Sequence, residues 1–177
     1  MIKRAVISGL PSAGIHAADL RSMPIPVARY FTKATGAAAG VHVRLSPFDQ
    51  RVVDIRFFDD QGRNLSKNAE RGIERVFFRE DFRRVYLDEI GTIDYAPRVI
   101  ETYTQGFFKA VDVEAIRRAK FRIVVDYAYA PTAEVLPHIM SELGVEVVPL
   151  ASHVDGDKMS LSPPEFEKEL NAPGDKR

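Results

Sequence analysis

The stretch Gly-Val-His-Val-Arg-Leu-Ser-Pro-Phe-Asp at residues 40–49 decides the fold that we predict for this chain. Its apolar and polar residues alternate up to Ser46, which is the period of a strand with one apolar face. The strand stops at Pro47, because proline has no N–H for the ladder and favours extended geometry in the residue before it. A second strand follows at about 52–58, so the sequence allows a hairpin with a serine at the end of its first strand.

Three arginines, Arg44, Arg51 and Arg56, stand within ten residues of this serine. Guanidinium groups bind phosphate through charge-assisted hydrogen bonds, and a phosphoryl acceptor needs such cations nearby. A serine at the mouth of a strand with cations around it is therefore a candidate for phosphate chemistry. Most Ser-Pro pairs simply end strands, and the residues alone leave both interpretations open.

Composition narrows the class of protein. The 177 residues carry 25 basic and 25 acidic side chains, so nothing in the net charge points to nucleic acid or an anionic membrane. The sequence contains no cysteine, which excludes a disulfide framework, a thiol nucleophile and a cysteine zinc site. No apolar run approaches the roughly 20 residues that span a bilayer, and no signal-peptide pattern is visible. We expect a cytoplasmic protein.

The first part of the chain alternates helix and strand patterns. We predict helices at about 1–13, 27–35, 69–80 and 97–111, strands at 15–20, 41–45 and 52–58, and irregular chain at 85–96. In the helix at 69–80, Ile73, Val76 and Phe77 form the expected inner stripe. We interpret its arginines and glutamates as a solvated face with i,i+4 ion pairs, in preference to an anion-binding ridge.

A β-α-β pattern follows near residue 112. Buried strands are predicted at 121–126 and 145–148, with a helix at 131–143 between them, closed by Gly144. Pro137 is expected to kink this helix or to delay its start to about Leu136. The order implies a parallel pair with a right-handed crossover. A further helix is expected between Ser160 and Leu170.

This order of elements resembles domain I of the α-D-phosphohexomutases, the phosphomannomutases and phosphoglucomutases. The matching pieces are residues 2–10, 15–20, 24–31 and 40–46. The resemblance implies an α/β fold, with a three-layer α/β/α domain I and a mixed sheet over 1–112 and a partial second α/β domain over 113–177. It also implies that a strand and an arginine-bearing loop of the family are missing ahead of the first helix.

The resemblance assigns roles to residues of the hairpin. Ser46 falls where the family carries its phosphoserine, and Arg56 falls where the family has a lysine proposed as a base. The implied reaction moves phosphate between the 1- and 6-positions of a hexose phosphate, with Arg44 and Arg51 as local phosphate-binding groups. Arginine stays protonated near neutral pH, so Arg56 is a poor base and a good phosphate clamp. The residues after the serine also depart from the family's His-Asn-Pro.

The family binds magnesium through the serine phosphate and a domain II loop. That metal loop, the sugar loop and the terminal phosphate-binding domain have no counterpart in this sequence, so we expect a fragment that is inactive alone and needs no cofactor by itself. Asp155-Gly-Asp157 follows the wrong strand for the metal loop and is interpreted as a solvated turn. The four histidines show no metal-ligand spacing.

The closer likeness is to mutase-like segments fused behind a nucleotidyltransferase domain in mannose-1-phosphate guanylyltransferase-type proteins. It rests on residues 46–49, 57–58, 73–83, 121–128 and 136–148, and it implies a place in nucleotide-sugar metabolism. A second hypothesis is therefore a non-catalytic regulatory or interaction module of such a system, with a partner chain carrying the missing domains. A third is a truncated gene product.

Overall fold

The computed structural model describes residues 1–46, 49, 51–159 and 163–171. It contains seven α-helices and six strands in these parts, in an alternating order. The helices are α1 (Ile2–Ser12), α2 (Ile25–Thr35), α3 (Lys67–Arg79), α4 (Val99–Ala110), α5 (Val113–Ala119), α6 (Thr132–Glu142) and α7 (Pro163–Leu170). The strands are β1 (Ala17–Asp19), β2 (Ala39–Leu45), β3 (Val53–Asp59), β4 (Ile93–Tyr95), β5 (Arg122–Asp126) and β6 (Glu146–Leu150). The expectation of an α/β fold is confirmed.

The strands of the described residues form three two-stranded sheets: β1 with β4, β2 with β3, and β5 with β6. The first and third of these pairs are parallel. By its contacts the chain divides into two compact units, one of Met1–Val43 with Arg56–Ala110 and one of Arg44–Ile55 with Val111–Arg177. The boundary at residue 112 stays a prediction. No helix in the described parts has the length and apolarity needed to cross a membrane.

The first unit is organised by helix packing around α2. This helix begins after Pro24, has a second proline in its first turn and ends at Gly36, whose φ of 67° is the left-handed geometry that glycine adopts readily. Its buried side chains include Val27 and Phe31, and α4 packs against it. Tyr30 of α2 and Tyr103 of α4 meet edge to face, with ring centroids 5.8 Å apart.

The second unit contains the parallel pair β5–β6, as the sequence predicts. Helix α6 packs on β6 and buries Val135 and Ile139, which are 3% and 1% exposed. The strands themselves are not buried on both faces, so that part of the prediction is wrong: Val124 is 67% exposed and Leu150 is 50% exposed. Apolar runs of this length are typical of doubly covered strands, but no second layer covers this face within the described residues.

Several boundaries differ from the sequence-based expectations. The span 85–96 is not wholly irregular, because it contains β4, which hydrogen-bonds to β1. Helix α6 starts at Thr132 and includes Pro137, so the proline does not delay it. Helix α5 was not anticipated, although Asp112 caps it by accepting a hydrogen bond from the N–H of Ala115 at 2.9 Å.

Helix α3 lies where the pattern placed it, but two of the three residues of its expected inner stripe are exposed, whereas Ile73 is half-buried. Its cap is Ser66, whose hydroxyl accepts from the N–H of Ala69. Val76 is 46% and Phe77 66% exposed, which contradicts the predicted burial. The predicted i,i+4 ion pairs are also absent among the described residues of this helix, because each charged i,i+4 pair on it, from Lys67–Arg71 to Arg75–Arg79, joins like charges.

Candidate phosphate-binding site

The predicted hairpin forms from β2 and β3, and Ser46 closes its first strand. The N–H of Ser46 donates to the carbonyl of Val52 at 2.8 Å, so the serine is held at the point where the strands leave the ladder. The serine is only 8% exposed. Residues 47 and 48 of the predicted motif, and residue 50 after it, lie outside the described residues.

Arg44 reaches across the hairpin to the next strand. Its Nη2 and Nε donate to the same carboxylate oxygen of Asp54, at 3.1 and 3.2 Å. The two side chains are 39% and 25% exposed, so the ion pair is partly shielded from water. A phosphate that binds this guanidinium would have to displace the Asp54 carboxylate or share the guanidinium with it.

Arg51 is held in the loop by Asp49. Its Nε and Nη2 donate to the two carboxylate oxygens at 3.0 and 2.9 Å, and its N–H donates to Oδ1 at 3.0 Å. These hydrogen bonds from Arg51 lower the pKa of the Asp49 carboxyl, and the same pair raises the pKa of Arg51. The Arg51 side chain is 90% exposed, so water screens the pair strongly and an incoming dianion can exchange with the carboxylate.

Arg56 and His42 lie within the two strands of the hairpin, away from its Ser46 end. Arg56 lies exposed on β3, two residues beyond Asp54, and belongs to the first unit. His42 is half-buried on β2, and its Nε2 lies 3.2 Å from the carbonyl oxygen of Met23. The structure thus brings Arg44, Ser46 and Arg51 to one end of the hairpin, in the second unit, while Arg56 is located by its strand position alone.

The two carboxylates are what the sequence reasoning missed. Asp49 and Asp54 stand in the same stretch as the arginines, and each pairs with one of them. The sequence carries this signal, because the segment 44–56 contains two aspartates, Asp49 and Asp54, beside its three arginines. An arginine near a serine suggests a phosphate ligand only when no carboxylate of the same hairpin is placed to pair with it.

The described residues contain no cluster of three or more histidine, aspartate or glutamate side chains able to hold a metal ion. In Asp155-Gly156-Asp157, the Asp155 carboxylate accepts from the N–H of Asp157 at 3.1 Å and lies 3.6 Å from the Lys158 ammonium. A carboxylate engaged by a lysine and its own turn is a poor start for a divalent-cation site, which needs several oxygens. These residues do not fit the family's magnesium ion.

Comparisons with known proteins identify the family of the chain. Residues 1–84 match the family model of the phosphoglucomutase/phosphomannomutase α/β/α domain I, and residues 101–175 match that of domain II. The chain is 32% identical over 170 residues to a phosphoglucomutase/phosphomannomutase of Thermococcus kodakarensis, covering 96% of this chain and 37% of the relative. It is 28% identical to a phosphoglucosamine mutase of Methanocaldococcus jannaschii, with the same coverage of 96% and 37%.

Solved structures show the same fold at lower identity. A phosphoglucomutase/phosphomannomutase family protein from Burkholderia thailandensis superposes with a TM-score of 0.70 at 18% identity, over 96% of this chain and 37% of that one. A putative phosphomannomutase from Thermus thermophilus gives 0.74 at 18% identity, over 90% and 36%. The chain therefore spans a little over a third of the length of these relatives, and through domains I and II it belongs to the phosphoglucomutase/phosphomannomutase family.

Proposed function

We propose that this chain supplies the phosphate-carrying serine of a phosphohexomutase-type reaction, with Ser46 as that serine and hexose phosphates as substrates. The observation that carries the proposal is the placement of Ser46 at the end of β2, with Arg44 and Arg51 at the same end of the hairpin. Phosphoryl transfer depends on positioning and charge neutralisation, and guanidinium groups at the end of a fixed strand supply part of both.

Arg44 and Arg51 act as phosphate-binding groups in this proposal. Each exchanges its aspartate for phosphate oxygens, which accept two parallel N–H bonds as a carboxylate does. Arg56 also binds phosphate, because an arginine cannot be deprotonated to serve as a general base. This difference from the family's lysine moves the role of the position from proton transfer to charge neutralisation.

The chain alone is expected to turn over no substrate. Mutase chemistry in this family also draws on magnesium, and the residues described here supply no group of ligands for it. One hydrogen-bonded hairpin binds and orients a single phosphate, whereas a mutase must also hold the other end of the sugar for the second phosphate transfer. Activity therefore requires further domains of the family, in the same chain or in another, and the substrate hexose is set by those domains.

The test incubates the purified chain with glucose 1-phosphate or mannose 1-phosphate, magnesium and the hexose bisphosphate activator. The expected result is no turnover but transfer of phosphate to Ser46, read by mass spectrometry of the intact chain and its peptides. Ser46→Ala should lose the added phosphate, whereas Ser12→Ala, which changes an exposed serine on α1, should keep it. Phosphate absent from Ser46 in the unmodified chain would refute the proposed role.

A second candidate function is a non-catalytic module that regulates or docks to a mannose-1-phosphate guanylyltransferase-type enzyme of nucleotide-sugar synthesis. The burial of Ser46 and the pairing of Arg44 and Arg51 with aspartates favour it, because both oppose rapid phosphate exchange. Under this hypothesis Ser46 is never phosphorylated, and Ser46→Ala leaves guanylyltransferase binding unchanged. The same mass spectrometry therefore separates the two functions.

A further inference from the structure

Helix α3 carries a row of basic side chains along one side. They follow one another at every fourth position, as Lys67, Arg71, Arg75 and Arg79, and all four residues are exposed. Four residues of an α-helix rise by about 6 Å and turn through about 400°, so successive members lie close together and the row winds slowly around the helix. This cation row extends over about 18 Å of the helix axis.

The cation row has no counter-charge within the part of the chain that the structure describes. None of its members forms an ion pair or a side-chain hydrogen bond there. For Arg75 and Arg79 the sequence gives the reason, because no carboxylate lies three or four positions away from either. Like charges at i,i+4 repel each other and weaken a helix. The row therefore lowers the stability of α3 and gains no contact inside the described fold.

The cation row lies on the side of α3 that faces away from the fold. Ile73 is the half-buried apolar residue of the helix, and the helical period places every member of the row at least about 120° from it. Exposed arginine and lysine side chains are ordinary on such a side. A row of them without carboxylates between its members is not, and it favours the second interpretation of this helix, an anion-binding ridge, over a solvated face with ion pairs.

Aromatic rings accompany the cations. Phe78 comes three positions after Arg75 and directly before Arg79, so the helical period places it on the side of the row, and it is 80% exposed. Its neighbour Phe77 is 66% exposed, and the two rings meet edge to face with centroids 5.6 Å apart. Cations that follow a phosphate backbone, beside rings on which bases stack, are the features of surfaces that bind single-stranded nucleic acid.

We propose that the cation row and Phe78 form a binding surface for single-stranded nucleic acid. Phosphodiester groups pair with the four cations, and an unstacked base packs on the Phe78 ring. A flexible strand follows the winding of the row, whereas the carboxylates of an acidic helix offer the ring nothing to stack on. Basic and acidic residues balance at 25 each in the whole chain, so the attraction is local to α3 and independent of base sequence. The surface is also independent of any phosphate chemistry at Ser46.

Fluorescence anisotropy of the full chain with a labelled oligouridylate and its deoxy counterpart tests the proposal and distinguishes RNA from DNA as the source of the strand. Binding should have a Kd of about 10 µM, as non-specific contacts do, and log affinity should fall with log salt at a slope of about −3, because each of four cations releases about 0.7 counterion from a single strand. Arg75→Gln should weaken binding by about threefold and reduce the slope by about 0.7. Arg118→Gln, at an exposed arginine of α5, is the matched control and should change neither.

The same substitution should raise stability, which separates loss of the surface from loss of the fold. Arg75 has a like charge at i−4 and at i+4, so Arg75→Gln removes two repulsions from α3. Its Tm in thermal unfolding should therefore lie above that of the original chain, although it binds more weakly. Weaker binding accompanied by a lower Tm would mean that the substitution damages the fold, and the role that we assign to Arg75 would be wrong.

Phe78→Ala distinguishes a nucleic acid from any other polyanion. It should weaken binding of the oligouridylate by about fivefold through loss of stacking, and leave the weaker binding of inorganic polyphosphate unchanged. No binding of either strand, a salt slope that Arg75→Gln does not alter, or polyphosphate that binds as tightly as the strand would each overturn the proposal. Tighter binding of poly-glutamate, or of vesicles rich in anionic lipid, would also overturn it, by assigning the cation row to an acidic protein or to a membrane surface.

Discussion

Arg44 and Asp54 form an ion pair across the β2–β3 hairpin, with Nη2 3.1 Å from Oδ2 and a second hydrogen bond from Nε to the same oxygen. The pair joins the end of the strand that carries Ser46 to the returning strand. It therefore has two consequences: it fixes the hairpin, and it occupies a guanidinium that we propose for phosphate. Partly exposed pairs of this kind contribute little to stability, so the first consequence should be small.

A double-mutant cycle on Arg44→Ala and Asp54→Ala should give a coupling energy of about 0.5 kcal/mol, measured by urea unfolding. The cycle is needed because Asp54 has further interactions, which the single variants would also remove. The coupling should shrink in concentrated salt, because screening weakens a half-exposed pair. A coupling of zero, or one that salt leaves unchanged, would contradict the electrostatic origin that we assign to this contact.

Asp49 should compete with phosphate for Arg51. Asp49→Asn removes the carboxylate that engages this exposed guanidinium, so the affinity for hexose 6-phosphate should rise by about threefold in a calorimetric titration. Arg51→Ala should lower the affinity by a similar factor, and Arg63→Ala, which changes another arginine outside the site, should leave it unchanged. Equal affinities in the Asp49 and Arg51 variants would show that the loop binds no phosphate.

Ser46 is buried, and this predicts an asymmetry between two substitutions. Ser46→Ala removes a hydroxyl and should cost about 1 kcal/mol or less of unfolding free energy. Ser46→Asp places an unpaired charge at a site that is 8% exposed, and should cost about 2 kcal/mol or more unless the arginines reorganise around it. Equal stabilities of the two variants would mean that Arg44 or Arg51 already lies in position to neutralise an anion at residue 46.

Much of the architecture could be predicted because local signals agreed with one another. The alternation of residues 40–45 with Pro47 after it predicted β2, and Pro26 and Gly36 bounded a predicted helix at 27–35, which the structure extends to Ile25–Thr35 as α2. The parallel pair β5–β6 followed from two apolar runs separated by one helix. In each case the period of hydrophobic residues and the turn chemistry indicated the same element.

Other features depend on contacts that no local pattern encodes. Strand β4 is three residues long and exists because it pairs with β1, over seventy positions earlier in the chain. The exposure of Phe77 and Val124 depends on which elements lie beside them, and an apolar stripe shows only that burial would be favourable. The partners of Arg44 and Arg51 are local, and counting the aspartates of the same hairpin would have found them.

Gly40 should tolerate no side chain. A Cβ at this position would lie 2.0 Å from the ring of Phe58, which is 1% exposed and cannot withdraw into solvent. Gly40→Ala should therefore destabilise the chain by about 2 kcal/mol. Gly72→Ala is the matched control, because nothing lies within 4 Å of a Cβ on this residue of α3, and the change should stabilise by about 0.5 kcal/mol through helix propensity. Thermal unfolding of both variants checks the opposite signs, and a stable Gly40→Ala protein would place the Phe58 ring elsewhere.

Asp19 should make stability depend on acid pH. Burial by itself would raise the pKa of this carboxyl, but hydrogen bonds from the Lys3 ammonium at 2.5 Å and from the Arg21 N–H at 2.6 Å outweigh it, and the pKa is lowered from its usual value of 3.8. A depressed pKa means that the folded state holds the proton less well than the unfolded state. Its contribution is therefore complete above the ordinary pKa and is lost as the pH falls through the lowered one.

Urea unfolding from about pH 6 to about pH 2 measures this contribution. Asp19→Asn should lower the unfolding free energy by about 1 kcal/mol at pH 6, because Lys3 of α1 loses its anionic partner at the end of β1. The difference from the original chain should vanish at the acid end of the range. Asp88→Asn, at an exposed residue, should leave the whole profile unchanged. A difference that persists where the Asp19 carboxyl is protonated in both the folded and the unfolded state would assign the effect of Asp19 to packing, and the link between α1 and β1 would then not be electrostatic.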